Sequence, residues 1–311
     1  MAHTRSSFLI ALILPIMAFG QAGTLDLSFN GTGYTSTAIG TNNDLGRAVL
    51  QQADGKIVVA GMAVIGAYFD LALVRYMPDG SLDASFGSGG YTTAPVQPIR
   101  DEAYDLAIRP TGEYVVAGRS GNGTTDDYAV AQFTSNGMLD AGFGNAGVAF
   151  SDLVSNEQFN ALALQNDGKI VAAGSMAGFG GLLIRFNADG TLDNTFGTAG
   201  IVTSIVPGTT GGVFEDVVIQ TDGKIIVVGS FVGGMAGNWT VARFNSDGTP
   251  DLSFGSNGFT STDIGTLSSL PEEARAAALD ANGRIVVAGH ARNSLDLVVA
   301  RYLSDGSLDA A

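Results

Sequence analysis

The chain has 311 residues with 44 glycines, no cysteine and a formal charge of −15. The lack of cysteine excludes thiol catalysis, disulfides and thiolate metal sites, and the acidic surface argues against nucleic acid as a partner because it repels phosphate backbones. Abundant glycine with only 14% charged residues predicts many short strands joined by tight turns.

The first predicted element is an export signal. Arg5 supplies a positive n-region, residues 8–19 form an apolar h-region, and Ala18 and Gly20 fit a small-x-small cleavage site. The apolar run is short and contains proline, so it does not suit a membrane span. We therefore predict a signal peptide over residues 1–20, cleaved near Gly20. The mature chain is expected to be secreted or held in the cell envelope, without spanning the membrane.

After the signal, a stretch such as "LDASFGSGG" returns throughout the chain. Its aspartate, called the marker Asp below, recurs at spacings of 57, 57, 53, 58 and 58 residues. A hairpin such as "DGKIVVAG" and a strand ending in Arg-Tyr or Arg-Phe recur with the same period. The marker residues are Asp26, Asp83, Asp140, Asp193, Asp251 and Asp309. The predicted repeats run over residues 25–81, 82–138, 139–191, 192–249 and 250–307, with the start of a sixth motif at 308–311.

Each repeat contains four strand candidates. In the second they are residues 90–94, 104–109, 113–118 and 128–133, which are β-branched or aromatic-rich and are bounded by Gly, Asp or Asn. The "DGK" segment predicts a tight hairpin turn between the first two strands of a blade. Four antiparallel strands per ~57 residues are typical of a propeller blade. We therefore predict an all-β β-propeller over residues 21–311, either a closed five-bladed ring or a fragment of a larger propeller.

These motifs also carry a family resemblance. "LDxSFGxxG", "LQxDGKIVVAG" and "RYxxDGSLD" resemble the delta-60 repeat of bacterial exported proteins, over residues 25–311. The resemblance implies a β-propeller of unassigned function, a location outside the cell and no catalytic residues. The hairpin also resembles, more weakly, NHL-type propeller repeats, which implies that the strand before "DGK" is innermost. In a closed ring, the N-terminal strand at 33–37 would then complete the last blade beside residues 297–302.

One phenylalanine per repeat follows the marker Asp by three residues, in a segment that we call the latch. This regular placement predicts a plug between neighbouring blades, whose burial stabilises by roughly 1.5–3 kcal/mol each. Each Phe precedes glycine except at Asn30, and Asn is the other residue that best tolerates a left-handed conformation. A Ca²⁺ site at pairs such as Asp79 and Asp83 is a weaker alternative, because the distal Glu of a calcium loop is missing. No other cofactor is expected. The latch residues are Phe29, Phe86, Phe143, Phe196 and Phe254.

Successive loops of an up-and-down blade alternate between its two faces, which predicts that the "DGK" turns and the latches share one face. The loops of the opposite face, called the loop face below, differ in length and chemistry among the repeats, which makes that face the candidate binding surface. Acidic residues at equivalent positions before four inner strands are expected to surround the channel mouth. They would form a collar for a metal or cationic ligand, or else are polar residues repeated with the blade. The single Trp and the one His of the mature chain are further candidates, with core or rim positions as the alternative. The candidate ligand-binding residues are Asp44, Asp101, Glu157, Glu272, Trp239 and His290.

The sequence shows no phosphate loop, HExxH or redox motif. Adjacent carboxylates such as Asp101 and Glu102 point to opposite sides of a strand and form no ready acid/base couple. We therefore predict an exported, non-enzymatic binding or scaffold module whose partner is a protein or a polysaccharide. Two alternatives stay open: a glycan hydrolase or lyase that uses channel-mouth carboxylates, and a purely structural cell-surface protein. The sequence makes no prediction of oligomeric state.

Overall fold

The computed structural model describes residues 23–310 except 152, 154–155, 205, 207–208, 234–235, 265–271 and 292–295. The signal peptide predicted over residues 1–20 lies outside the described residues. The described part of the chain is all-β and forms five sheet units in chain order. No helix in it has the length and apolar character of a membrane span.

The sheet units correspond to five blades. Blade 1 contains β1 (Leu45–Gln51), β2 (Ile57–Ile65), β3 (Tyr68–Tyr76) and β4 (Tyr91–Ala94). Blade 2 contains β5 (Arg100–Ile108), β6 (Tyr114–Gly121), β7 (Asp126–Phe133) and β8 (Val148–Ser151). Blade 3 contains β9 (Glu157–Leu164), β10 (Ile170–Met176), β11 (Gly180–Phe186) and β12 (Ile201–Ser204). Blade 4 contains β13 (Gly211–Ile219), β14 (Ile225–Gly233), β15 (Ala236–Phe244) and β16 (Phe259–Thr262). Blade 5 contains β17 (Glu273–Leu279), β18 (Ile285–His290) and β19 (Leu297–Tyr302).

Within each blade, consecutive strands pair antiparallel in chain order. One parallel pair, Phe69 with Arg100, joins the sheets of blades 1 and 2. The first strands of successive blades lie side by side, so they form the inner layer around the axis. This arrangement confirms the predicted propeller and the predicted strand order.

The core lies between blades rather than within them. Between blades 2 and 3, Tyr128 packs against Phe159 with ring centroids 4.8 Å apart, and Phe159 meets Phe186 at 6.3 Å. Both faces of these short strands are buried, because alternate side chains enter the core on either side of each sheet. Packing of successive blades therefore supplies the apolar burial that no single blade could achieve.

The latch ties each blade to the next repeat. Phe143, before the last strand of blade 2, is wholly buried, and a Cβ built on Gly190 after β11 of blade 3 would lie 2.9 Å from its ring. The amide of Gly144 donates to the carbonyl of Asp189 (2.7 Å). Phe29 holds the same position against Gly80 of blade 1 but is only half-buried. Asn30 takes the left-handed conformation (φ 52°), as do the four glycines that follow the other latch phenylalanines.

In the residues that the structure describes, the first and last blades do not pair with each other. The hydroxyl of Tyr76 donates to Thr37 (2.8 Å), just as Tyr302 donates to Thr262 of β16 (2.8 Å). Residues 33–37 thus lie where the outermost strand of a preceding blade would lie, and they do not pair with β19. Closure of a five-bladed ring is not observed in the described residues, and the alternative form of the prediction, part of a larger propeller, allows this.

Candidate functional site

The latches and the "DGK" turns share one face, as the sequence predicts. Lys56 Nζ of a turn lies 3.0 Å from Asp83 Oδ2 of a latch, and Arg75 Nε lies 2.8 Å from the same oxygen. The ring of Phe86 lies 4.6 Å from the Arg75 guanidinium carbon. Later repeats show the same turn-to-latch pairs, which are Lys169–Asp193, Lys224–Asp251 and Arg284–Asp309. This face is therefore a repeated structural device.

The aspartates considered for Ca²⁺ have protein partners. Asp79 accepts hydrogen bonds from the amide and the hydroxyl of Ser81 (3.0 and 2.6 Å). Burial opposes ionisation of Asp83, but hydrogen bonds from Ser85 and Lys56 and the charge of Arg75 outweigh it and hold the pKa well below its usual range. Across the described residues, no group of three or more His, Asp or Glu is arranged to hold a metal ion.

The four predicted collar residues lie at equivalent positions, but the carboxylates of three of them bind loop backbone. Asp101 is buried and accepts from the amides of Val96 and Gln97 (2.7 and 3.1 Å). Asp44 accepts from Ile39 and Val64, and Glu272 accepts from Ile264. Glu157 is also buried and lines a cavity described below. The structure thus gives Asp44, Asp101 and Glu272 a part in fastening the loops between blades, and the role of all four residues in ligand binding stays a prediction.

The two one-off candidates lie between blades 4 and 5. Trp239 is wholly buried, and its indole N–H donates to the carbonyl of His290 (3.0 Å). It therefore presents no ring face to solvent. His290 is half-buried at the end of β18, where Arg119 and Ser175 stand in blades 2 and 3. Arg119 and Ser175 both line the same cavity on the loop face.

Each inner strand contains a β-bulge opposite a glycine of the second strand. In blade 2, Ala103 pairs with Gly118 and Asp105 pairs with Ala117, which leaves Tyr104 as the extra residue. A Cβ on Gly118 would lie 1.9 Å from the Glu102 carbonyl oxygen, so this close approach requires glycine and accounts for the recurring "VVAG". A bulge bends the strand and redirects the extra side chain. The five bulge residues are Arg47, Tyr104, Asn160, Glu215 and Arg275.

All five bulge residues line one cavity of about 470 Å³, which we call the axial cavity. A second cavity of about 510 Å³, the mouth cavity, lies on the loop face and includes Arg119, Asp126 and Glu157. The two cavities share Gln158 and Val213 and are therefore contiguous. Each volume lies within the range of roughly 300–1,000 Å³ that is usual for small-molecule sites.

On the side of the axial cavity formed by blades 1 and 2, the polar contacts converge on one buried carboxylate. Glu102, whose side chain is 1% exposed, lies 2.9 Å from Arg47, 2.6 Å from Arg100 and 3.3 Å from Arg119. The hydroxyl of Tyr104 also donates to it (3.0 Å). Burial opposes ionisation of Glu102, but Arg100 and Arg119 outweigh it and lower the pKa of this carboxyl. Glu102 therefore stays ionised and holds three arginines around it.

The opposite side of the axial cavity, formed by blades 4 and 5, carries acidic groups. Glu215 Oε1 lies 3.1 Å from Arg275 Nη1, and Arg275 also pairs with Glu273. The amide of Asn160 donates to the backbone carbonyl of Phe214 (3.0 Å) and reaches Glu215 at 3.4 Å. Burial raises the pKa of Glu215, partly offset by Arg275. The axial cavity thus offers cations on one side, carboxylates on the other and an amide between them.

Sequence reasoning missed the bulge residues. They belong to no chemical motif, none of them is the single residue of its type in the chain, and their residue type changes from one copy to the next. Alignment of the five repeats could have found them. At one position the repeats have Arg, Tyr, Asn, Glu and Arg, and the second strand of every repeat has a glycine opposite that position. A position whose residue type varies within an otherwise uniform repeat carries a side chain that the fold of the repeat does not require.

Five segments of the chain match the family model described as "Domain of unknown function (DUF5122) beta-propeller", at residues 52–86, 109–143, 165–196, 220–254 and 281–311. The chain belongs to the DUF5122 β-propeller family. This confirms the resemblance to the delta-60 type of repeat. Each matched segment of the DUF5122 propeller contains a "DGK"-type turn, and the first four extend to the latch phenylalanine. All five bulge residues lie outside the matched segments.

The DUF5122 propeller is also similar to solved structures, at low identity. A protein of unknown function from Bacteroides caccae has a TM-score of 0.50 at 11% identity, covering 86% of this chain and 80% of that one. A virginiamycin B lyase from Staphylococcus aureus has 0.48 at 11%, covering 88% and 71%. A GH43 endo-arabinanase from Bacillus licheniformis has 0.42 at 14%, covering 87% and 98%. No curated protein matches the chain. Such low identities bear on the fold alone.

A half-buried aspartate next to the bulge of blade 4 predicts a pH effect on stability. Asp216 accepts from the amides of Ala277 and Val217 (both 2.7 Å), and burial raises its pKa to about 6. Because the folded pKa exceeds the unfolded value of about 3.9, its favourable contribution is complete below pH 4 and is lost as pH rises through 6. We expect a loss of roughly 2–3 kcal/mol between pH 4 and 7.

Urea unfolding at pH 4, 5, 6 and 7 checks this expectation. The difference in unfolding free energy between the unmodified protein and Asp216→Asn should change across this range. Asp222→Asn, at an exposed turn, is the control and should follow the unmodified protein at every pH. Parallel curves for all three proteins would show that Asp216 does not titrate in this window.

Proposed function

We propose that this DUF5122 propeller is an exported, non-enzymatic binding module that takes a saccharide into the axial and mouth cavities. The observation that carries the proposal is the set of five bulges. Each directs a polar side chain into one cavity, while the rest of each blade keeps its repeat-to-repeat chemistry. A scaffold alone has no need for such variation at a single position, whereas a binding site needs several different groups at one place.

The chemistry of the lining favours a saccharide. Asn160, Gln158 and Ser175 supply both donors and acceptors, and Glu215 adds acceptors. Sugar hydroxyls donate and accept at once, so they can satisfy a lining of this mixed kind. The site is also concave and limited in volume, whereas a stable protein partner needs roughly 800 Å² of surface from each side. A short oligosaccharide, or the end of a longer chain, matches the shape better than a protein surface does.

Export is part of the proposal. It is supported by the n-region, h-region and cleavage residues of the first 20 positions. It is also supported by membership in a family that occurs in exported bacterial proteins. A secreted or envelope location would bring the binding face into contact with extracellular polysaccharides.

Binding by a protein that starts at Gln21 tests this function directly. Titration calorimetry with a panel of neutral and acidic oligosaccharides should detect at least one ligand. The double variant Gln158→Ala/Asn160→Ala should weaken it roughly tenfold, because each lost hydrogen bond contributes about 0.5–1.5 kcal/mol. Asn282→Ala, in an exposed turn on the latch face, should leave the affinity unchanged.

Product analysis separates the alternatives. The bound saccharide should be recovered intact after long incubation with the protein. New reducing ends or unsaturated products would instead support the hydrolase or lyase. Failure of every saccharide to bind would contradict the proposed function and favour a protein partner or a purely structural role.

A further inference from the structure

The cationic side chains of the described residues fall into two groups. Nine serve the latches or the turns next to them, in pairs or carbonyl contacts that recur from blade to blade. The other four all lie at the axial cavity, the mouth cavity or the depression beside it. These four are Arg47, Arg100, Arg119 and Arg275. In a chain with 15 Lys and Arg against 30 Asp and Glu, this placement is selective.

Three of these arginines form a cluster with more positive than negative charge. Arg47, Arg100 and Arg119 surround Glu102, and Asp126 is the only other carboxylate that pairs with them among the described residues (3.1 Å from Arg119). Three guanidinium groups therefore face two carboxylates. The latch arginines Arg75, Arg185 and Arg243 differ in that Nε, Nη1 and Nη2 of each donate to protein acceptors.

The cluster also retains donors without protein acceptors. Of the guanidinium nitrogens, Arg47 uses Nη2 and Arg100 uses Nε, and the others of these two residues have no acceptor in the described part of the chain. Arg119 Nε is buried without a hydrogen-bond partner there. Arg47 also stacks on Tyr104, 4.6 Å from the ring centroid, which orients its guanidinium plane. Oriented N–H groups of this kind match the two oxygens of a carboxylate or sulfate group.

We propose that this arginine cluster binds the anionic group of an acidic saccharide. This inference rests on the proposed function and names the class of ligand. The three arginines lie in adjoining spaces: Arg47 in the axial cavity, Arg119 in the mouth cavity, and Arg100 in a depression of about 310 Å³. The mouth cavity and this depression share Asp126 and Asn156. The acidic surface elsewhere repels the ligand's charge and so orients it toward the cluster.

The test compares an oligogalacturonate of defined length with its methyl ester, which has the same skeleton without the charges. Calorimetry should show that the protein prefers the free acid by about tenfold or more, as expected for a charge-assisted hydrogen bond. The preference should shrink between 0.05 and 0.5 M salt because the cluster is partly exposed to solvent. Equal affinity for the acid and the ester would overturn the proposal.

Substitutions in the arginine cluster test whether these arginines cause the preference for the free acid. Arg47→Gln should lose about tenfold for the free acid and change the ester less than about twofold. Glu102 keeps Arg100 and Arg119 in this variant, so the fold should tolerate it. Arg100→Gln, at a side chain 41% exposed, is the second variant and should show the same selective loss. Arg284→Gln on the latch face is the control. Equal weakening of acid and ester by both cluster variants would contradict the proposal.

Further ligands show which anionic group the cluster binds and whether the saccharide contributes to binding. A sulfated oligosaccharide that binds with the same sensitivity to Arg47→Gln supports the proposal, with sulfate as the preferred anionic group. Sodium acetate that binds as tightly as the oligogalacturonate overturns it, because the saccharide would then contribute nothing. If only neutral saccharides bind, the proposed function holds and this inference fails. If no saccharide binds, the proposed function itself fails.

Discussion

Replacing Phe143 by alanine is expected to destabilise the protein by about 3–5 kcal/mol, the range for a wholly buried phenylalanine. Its ring has no exposed surface and belongs to the apolar cluster between blades 2 and 3. It also lies against Gly190, so truncation opens a cavity at the junction of blades 2 and 3. Blades gain most of their burial from neighbours, so a defect at one junction should weaken the array on both sides of it.

The matched control is Phe150→Ala. Phe150 is of the same residue type and lies close in sequence, but it is 45% exposed on β8, the outermost strand of blade 2. Its truncation should cost less than about 1 kcal/mol. Urea unfolding midpoints and the rate of proteolysis provide the comparison. Equal losses of stability in the two variants would show that the latch phenylalanine contributes no more to stability than an exposed phenylalanine does.

Replacing Arg185 by glutamine should cost about 3 kcal/mol or more, because it breaks a buried ion pair and leaves a carboxylate with fewer partners. Arg185 Nε lies 2.7 Å from Asp193, and its other nitrogens reach Thr195 and the carbonyl of Ser246 in the next repeat. Its guanidinium also covers the ring of Phe196 at 4.6 Å. One side chain thus joins a marker aspartate, a latch phenylalanine and the following blade.

Blade 2 already contains a compensated version of this change. It has Gln132 at the arginine position, and Gln132 donates to Asp140 (2.8 Å). Arg109, at the position held by Gln165 in blade 3, donates to Gln132 and to the next-repeat carbonyls of Gly168 and Ala188. The two residues have exchanged places relative to blade 3. The guanidinium therefore enters the same junction from a neighbouring strand.

This exchange suggests a double-mutant cycle. Gln165→Arg added to Arg185→Gln should recover about 1 kcal/mol or more of the lost stability, within the usual range of coupling between contacting residues. Gln165→Arg alone should give no gain, because Arg185 already occupies the junction. Unfolding midpoints of the four proteins give the coupling energy. A strictly additive result would mean that the two positions do not substitute for one another.

The repeated part of the molecule could be predicted from sequence because its determinants are local. The "DGK" turn, the glycine or Asn30 after each latch phenylalanine and the alternation of each strand depend on residues a few positions apart. They recur every 53 to 58 residues, so the four strands of each blade and their order could be predicted. The sequence also predicted that turns and latches share one face, and the ion pair between Lys56 and Asp83 confirms it. Asp101 and Glu102 do part to opposite sides, one toward the loop and the other toward the arginines.

The candidate site could not be predicted in the same way. The acidic residues before the inner strands were expected at the channel mouth, yet Asp44, Asp101 and Glu272 turn their carboxylates to loop amides. Buried backbone donors in those loops need acceptors, and a carboxylate next to the strand supplies them. No sequence pattern states which neighbouring donors remain unpaired. That balance depends on how each blade meets the next.

The sequence by itself determined the period, the blade, the latch and the order of strands, because short-range turn chemistry and alternation suffice for them. Only the tertiary structure decided which side chains reach the axis. Tyr104 and its four counterparts do so because each inner strand bulges where a glycine of the second strand lets two backbones approach. Bulges depend on the partner strand, and the arginine cluster around Glu102 depends on two blades at once. Both are long-range contacts that packing of the blades creates.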